Sequence, residues 1–320
     1  MGAGVFVVLA VALTLGVQML VREGGDDPVS TPRIVGPGAA PAPEQRATQA
    51  RVFGTGQDAA AVADGATGAS GSAVAPLAPH AFIAPIARYR LYARGEARTL
   101  ATRATALTAA LRSGDRARSR AAWQRADSAW RRVGAAYGAL GSLGDAIDGG
   151  LGRVEDGLWS GAGAPRALAP RATKLSAAVA RLRGVLGHSE ITPLDYATRA
   201  HEILEDVQRD ALGAPGPSGS GVRATADGAA ATRVVLRTLG PVLAGRGDAL
   251  TQSRFWTDRL AGTLTRIRAA HDGAYPPVAS LSRRERERLL GGLGAALEAL
   301  RGIPGELETT LPPKVARLPR

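Results

Sequence analysis

Cysteine is absent from all 320 residues, and that absence removes several kinds of chemistry at once. Disulfides, thiolate metal sites and cysteine nucleophiles are excluded, and so is a lipid anchor on an N-terminal cysteine. Aromatic residues are scarce, at 4%, and strands draw on them heavily, so the Ala- and Leu-rich composition points to helices. Lysine is nearly missing. Lys174 and Lys314 are the only two, so arginine carries the formal charge of +12. An Arg-, Ala- and Gly-rich bias of this kind can arise by mutational drift in a GC-rich genome; a polyanion-binding surface is the other reading. The arginines are scattered along the chain, with no aromatic side chains interleaved as stacking platforms, so nucleic acid is not an expected partner.

Catalytic constellations are lacking too. The four histidines, His80, His188, His201 and His271, stand in no HExxH arrangement and beside no serine nucleophile, so the chain is not read as an enzyme. His271 falls next to an expected helix C-terminus, where a cationic ring suits the dipole.

What is present begins with an uncharged run, Gly2 to Val21, GAGVFVVLAVALTLGVQMLV. About 20 apolar residues rising ~1.5 Å each span the hydrocarbon core of a bilayer. A basic n-region and a small-x-small cleavage site are both missing, which favours an uncleaved signal-anchor at 1–22 over a signal peptide. Residues 23–80 are rich in Gly, Ala, Pro and Ser and show no apolar period. They read as a disordered tether. The expected placement is a single-pass membrane protein with its body, 81–308, on the extracytoplasmic side and a C-terminal tail at 309–320.

Within the body, apolar residues recur at helical spacing. Trp123, Ala126, Trp130, Val133, Tyr137 and Leu140 fall on one stripe, as do Leu175, Val179, Leu182 and Leu186. Gly114 and Asp115 read as the stop of one helix and the N-cap of the next. Thr192 followed by Pro193 opens another helix, which continues through Leu194, His201, Leu204 and Val207. After the break GAPGPSGSG at 213–221, further stripes run through Val234–Leu243 and then Trp256, Leu260, Leu264 and Ile267. Ser282 to Glu285 forms a capping box before Leu289, Leu293, Leu297 and Leu300. The expected fold class is all-α, an antiparallel helix bundle.

One stretch, AAYGALGSLGDAIDGGLGRVEDGLWSG at 135–161, carries more than periodicity. Read with AAWQRADSAWRRVG before it and AHEILEDV after it, it resembles the imelysin-like domain of the EfeO/EfeM iron-uptake component family. The resemblance continues through 191–207, 227–243 and 275–303, covering nearly all of 86–305. It implies two similar four-helix halves, export, and work beside a membrane iron permease. In that family a His-x-x-Glu pair on a helix is the metal site, and its i, i+3 spacing presents both ligands in one direction. Here Gly152 stands at the histidine position and Glu155 at the glutamate. Acidic positions of the preceding helix fall on Arg131, Gly134 and Gly138, and the loop carboxylates on Ser142 and Gly144, with Asp145 nearby. The oxygen ligands left for iron or another divalent cation are Asp148, Glu155, Glu202 and Glu205. The alternative is a degenerate imelysin-like scaffold that keeps the fold without the metal. Asp148 and Glu155 then serve as caps or surface charge and Trp159 as core. The Arg-rich faces at 112–120 and 283–288 become contacts for anionic lipid or an acidic protein surface.

Overall fold

The computed structural model describes residues 77–134, 140–161, 163–188 and 191–307, with the side chain of Leu194 left aside. The expected anchor at 1–22, nearly all of the tether and the tail at 309–320 lie outside the described residues. All of those described belong to one unit, Ser72–Arg320. Among them there is no strand, and no helix is long and apolar enough to cross a membrane.

Helix α1 (Ile83–Ser113) is preceded by a 3-10 turn, Pro79–Phe82, whose Phe82 is buried, so the helical body starts slightly before the expected boundary. Its stop is the one read from the sequence: Gly114 adopts φ 81°, a conformation glycine tolerates without a Cβ penalty. Asp115 then caps α2 (Arg116–Val133), its carboxylate accepting from the Arg118 N–H at 3.0 Å. The Trp123, Ala126, Trp130 and Val133 stripe is fully inward. It does not continue to Tyr137 and Leu140 on the same helix, as its spacing suggested. Gly134, at φ 64°, turns the chain out after Val133; a Cβ there would sit 2.9 Å from that of Ala231. Leu140 is buried from outside the helix, while Tyr137 lies outside the described residues.

The chain continues as α3 (Ser142–Trp159), α4 (Ala169–His188), α5 (Pro193–Asp206), α6 (Gly221–Leu243), α7 (Ala249–Ala270), α8 (Arg283–Leu300) and a short α9 (Gly302–Glu306) that sequence periodicity did not show. Leu175, Val179, Leu182 and Leu186 of α4 are buried, as are Leu289, Leu293, Leu297 and Leu300 of α8. The capping box at Ser282 and Glu285 is formed in both directions. Helix α5 passes into a π turn, Val207–Gly213, before the glycine- and proline-rich break. Helix α1 packs along α2 and α4, and α4 on α3; α7 packs on α8 and α6, and α6 on α5. Contacts of α6 with α2 and α1 join these groups, so the end of α2 is flanked by α3 and α6. Tyr89 and Tyr196 tie the middle, donating to the Val133 carbonyl and meeting the Thr238 hydroxyl respectively.

Thr192 accepts from the Asp195 N–H at 3.1 Å, and Pro193 takes the first helical position. Replacing Thr192 with alanine orphans that donor and is expected to cost about 1 kcal/mol. Thermal unfolding should register it as a Tm lowered by roughly 2–4 °C for a body of this size, with helix content unchanged by circular dichroism.

Candidate functional site

The last turns of α2 read Asp127-Ser128-Ala129-Trp130-Arg131-Arg132-Val133. Trp130 and Val133 hold the apolar face inward, which leaves Asp127 and Arg131 one turn apart as neighbours. Asp127 is only 4% exposed, and Arg131 Nε meets its Oδ2 at 2.8 Å. The next residue, Arg132, serves α6 instead: its Nε meets Asp227 Oδ1 at 2.7 Å. Two consecutive arginines thus each reach a buried aspartate, one on their own helix and one on another.

Helix α3 supplies the facing carboxylates. Asp148 and Glu155 are seven residues apart, two helical turns, and therefore share a face. Asp148 is exposed, yet its Oδ1 accepts a 2.5 Å hydrogen bond from the buried Trp130 indole N–H. Glu155 is half-buried, and its Oε1 accepts from the backbone N–H of Ser218 at 3.1 Å. Glu155 therefore fastens the Gly/Pro/Ser-rich break, a capping role of the kind the sequence allowed. Burial pushes both carboxyls above the usual carboxylate range. The Trp130 and Ser218 hydrogen bonds pull them back, as does the Arg131 guanidinium, while Asp127 adds to the rise. Between them, Gly152 is open: a Cβ there would meet nothing within 4 Å. Trp159 is partly buried against the core, edge-on to Trp123 at 5.2 Å, with the Arg120 guanidinium over its ring.

The other two carboxylates read from the sequence stand on α5 and are engaged along it. Glu202 pairs with Arg199, and Glu205 Oε2 lies 3.4 Å from His201 Nδ1. Among the described residues no three His, Asp or Glu side chains are grouped so as to hold a metal ion. Helix α3 thus aligns Asp148 and Glu155 on one face, about 10 Å apart along its axis, and Glu202 and Glu205 stay with their own partners. The donor set does not fit iron in this arrangement, because its carboxylates do not converge: Asp148 and Glu155 stand two helical turns apart, each with its own hydrogen-bond donor, and Glu202 and Glu205 are engaged on α5.

Sequence reasoning missed the two buried aspartates. Asp227 is 3% exposed, and burial raises its carboxyl above the usual range despite the adjoining Ser128 hydroxyl and Arg132. Glu96 and Tyr92 of α1 belong to the same polar layer, their pKa values also raised, first by burial. A signal did exist for Asp127: it stands four residues after Trp123 and three before Trp130, squarely on an apolar stripe.

No family model matches this chain. Nor does any curated protein match it.

Proposed function

We propose that the protein is an imelysin-like helical component in which an internal guanidinium has replaced the metal, so that it serves as a scaffold or accessory partner rather than as an iron carrier. The observation that carries this reading is Arg131. It pairs with Asp127 at 2.8 Å and partly offsets the rise that burial imposes on the Asp148 and Glu155 carboxyls, from the position where the resemblance calls for an acid. A fixed guanidinium neutralises such carboxylates without the convergent ligands that iron requires. The packing of α1–α4 among themselves and of α5–α8 among themselves is what two four-helix halves would give, and it supports the imelysin-like assignment. The run from Gly2 to Val21 supports a membrane anchor with the body outside the cytoplasm, and the resemblance supports a place beside a membrane iron permease.

Calorimetry on the full-length protein with ferrous, ferric, zinc and copper ions tests this reading. The natural sequence should bind none of them at micromolar strength. Gly152→His with Arg131→Glu restores an imidazole and an acid where the space is open, and that variant should gain binding. Micromolar binding by the natural protein that disappears in Glu155→Ala would overturn the proposal. It would return the oxygen site of Asp148, Glu155, Glu202 and Glu205, and with it a role in iron delivery.

A further inference from the structure

The arginines that look scattered in the sequence converge in one place. A cleft of about 400 Å³ opens where α1, α2, α6 and α7 come together, lined by Arg103, Arg125, Arg132, Arg223, Arg233 and Arg268. Helical periodicity builds it. Arg125, Ser128 and Arg132 fall on one face of α2, as do Arg223, Asp227, Ala230 and Arg233 of α6, and Ala261, Leu264, Thr265 and Arg268 of α7. Asp227 is the only acidic side chain in the lining, and it is taken up by Arg132 at 2.7 Å. Arg233 pairs with Asp258 at 2.9 Å, beyond the lining. Arg103, Arg125, Arg223 and Arg268 have no carboxylate in ion-pair contact among the described residues.

These guanidinium groups are positioned rather than merely crowded. Arg103 Nη1 donates to the Arg125 carbonyl at 2.7 Å, and Arg268 Nε to the Gly273 carbonyl at 2.6 Å. Tyr275 stands between helices with Arg223 and Arg268 at 5.5 and 5.7 Å from its ring centroid, within cation–π range. The ring thereby holds two cations from α6 and α7 near each other without neutralising either. Like charges gathered in a concave site repel one another, and a bound anion relieves that repulsion. The guanidinium fork matches phosphate and carboxylate oxygens two at a time. The volume falls in the range of small-molecule sites.

We propose that this cleft binds a compact, multiply charged oxyanion, either a free oligophosphate or the phosphate headgroup of a lipid. The inference goes beyond the scaffold reading and does not depend on it, because the arginines of the cleft are not those facing α3.

Isothermal titration of the full-length protein with tripolyphosphate, at fixed ionic strength, should give saturable one-to-one binding that weakens as salt rises. Arg125→Gln with Arg223→Gln removes two guanidinium groups that make no ion pair among the described residues, and should weaken binding roughly tenfold or more. Thr265→Glu leaves every arginine in place but adds a carboxylate to the lining, and should weaken it comparably. Arg283→Gln with Arg301→Gln, exposed at 92% and 70%, makes the same charge change elsewhere and should leave binding intact. Helix content and Tm are checked for each variant. A parallel titration with short-chain, water-soluble phosphatidic acid separates the sources: tighter binding than tripolyphosphate, lost in the same variants, assigns the cleft to lipid headgroups. Weaker binding assigns it to free oligophosphate. Absence of saturable binding by both probes, or equal loss in the Arg283/Arg301 control, would overturn the proposal.

Discussion

Arg132→Ala should destabilise the protein by about 2–3 kcal/mol, below the ~3–5 typical of breaking a fully buried pair because the arginine itself is partly solvated. Asp227 is 3% exposed, whereas the Arg132 side chain is 43% exposed. Truncating the arginine therefore leaves a charge that the protein has enclosed. The larger signature is in pH. Burial already holds the Asp227 carboxyl above its usual range, with Arg132 among the groups pulling it back; losing Arg132 lets it rise further. A carboxyl whose folded pKa is raised is easiest to fold when protonated. The stability it contributes is complete below the unfolded value of about 3.9 and is lost as pH rises through the folded value. The deficit of Arg132→Ala against the natural protein should thus be largest at neutral pH and shrink as pH falls toward 4. Glu96 also faces Arg132 and moves in the same direction, so Asp227→Asn in the Arg132→Ala background separates the two. It should recover most of the loss at pH 7. A deficit constant between pH 7 and pH 4 would show that the carboxylate is not the cause.

Much of the helical order was legible because local rules and tertiary packing agree. Gly114 and Asp115, Thr192 and Pro193, and Ser282 with Glu285 each satisfy backbone groups that any helix end leaves open, so chain-local chemistry placed those ends. The end of α2 was not legible for a complementary reason. Tyr137 and Leu140 continue the period, but the helix stops at Gly134, which takes φ 64° and lies where a Cβ would crowd Ala231, a residue of α6 almost a hundred positions away. Periodicity reports which face is apolar; it does not report where a neighbouring helix forces the chain aside.

The candidate site divides along the same line. Asp148 and Glu155 were visible as one helical face, because spacing within a helix fixes direction. Their partners were not, since Trp130 and Ser218 are brought to them by packing. The arginine cleft was the least visible of all. Its arginines run from Arg103 to Arg268 on four helices; helical spacing aligns them within each helix, but only packing brings the four faces to one cleft, so a composition that reads as drift in one dimension becomes a concentrated field in three. Asp227 sits in a run of small residues at 226–231, where nothing local announces a buried charge. The pair it forms with Arg132 exists only once α2 and α6 meet.

Trp130→Ala is expected to cost about 3–5 kcal/mol, the range for deleting a large aromatic from a packed core. The ring is 1% exposed, and its N–H also joins α2 to α3 through Asp148 at 2.5 Å. Trp130→Phe separates these contributions, keeping most of the packing while removing the donor, and should cost about 1–2 kcal/mol. Trp123→Phe is the matched control: Trp123 is equally buried, but its N–H goes to the Leu151 carbonyl at 2.9 Å, an acceptor that does not titrate. The indole hydrogen bond favours the ionised form of Asp148 and lowers a pKa that burial has raised. Once that carboxyl is protonated the bond loses its charge assistance. The Trp130→Phe deficit should therefore be greater at pH 7 than at pH 4, whereas the Trp123→Phe deficit should not change across that window. Thermal unfolding of both variants at the two pH values decides the matter. Parallel deficits would mean that the indole acts by packing alone.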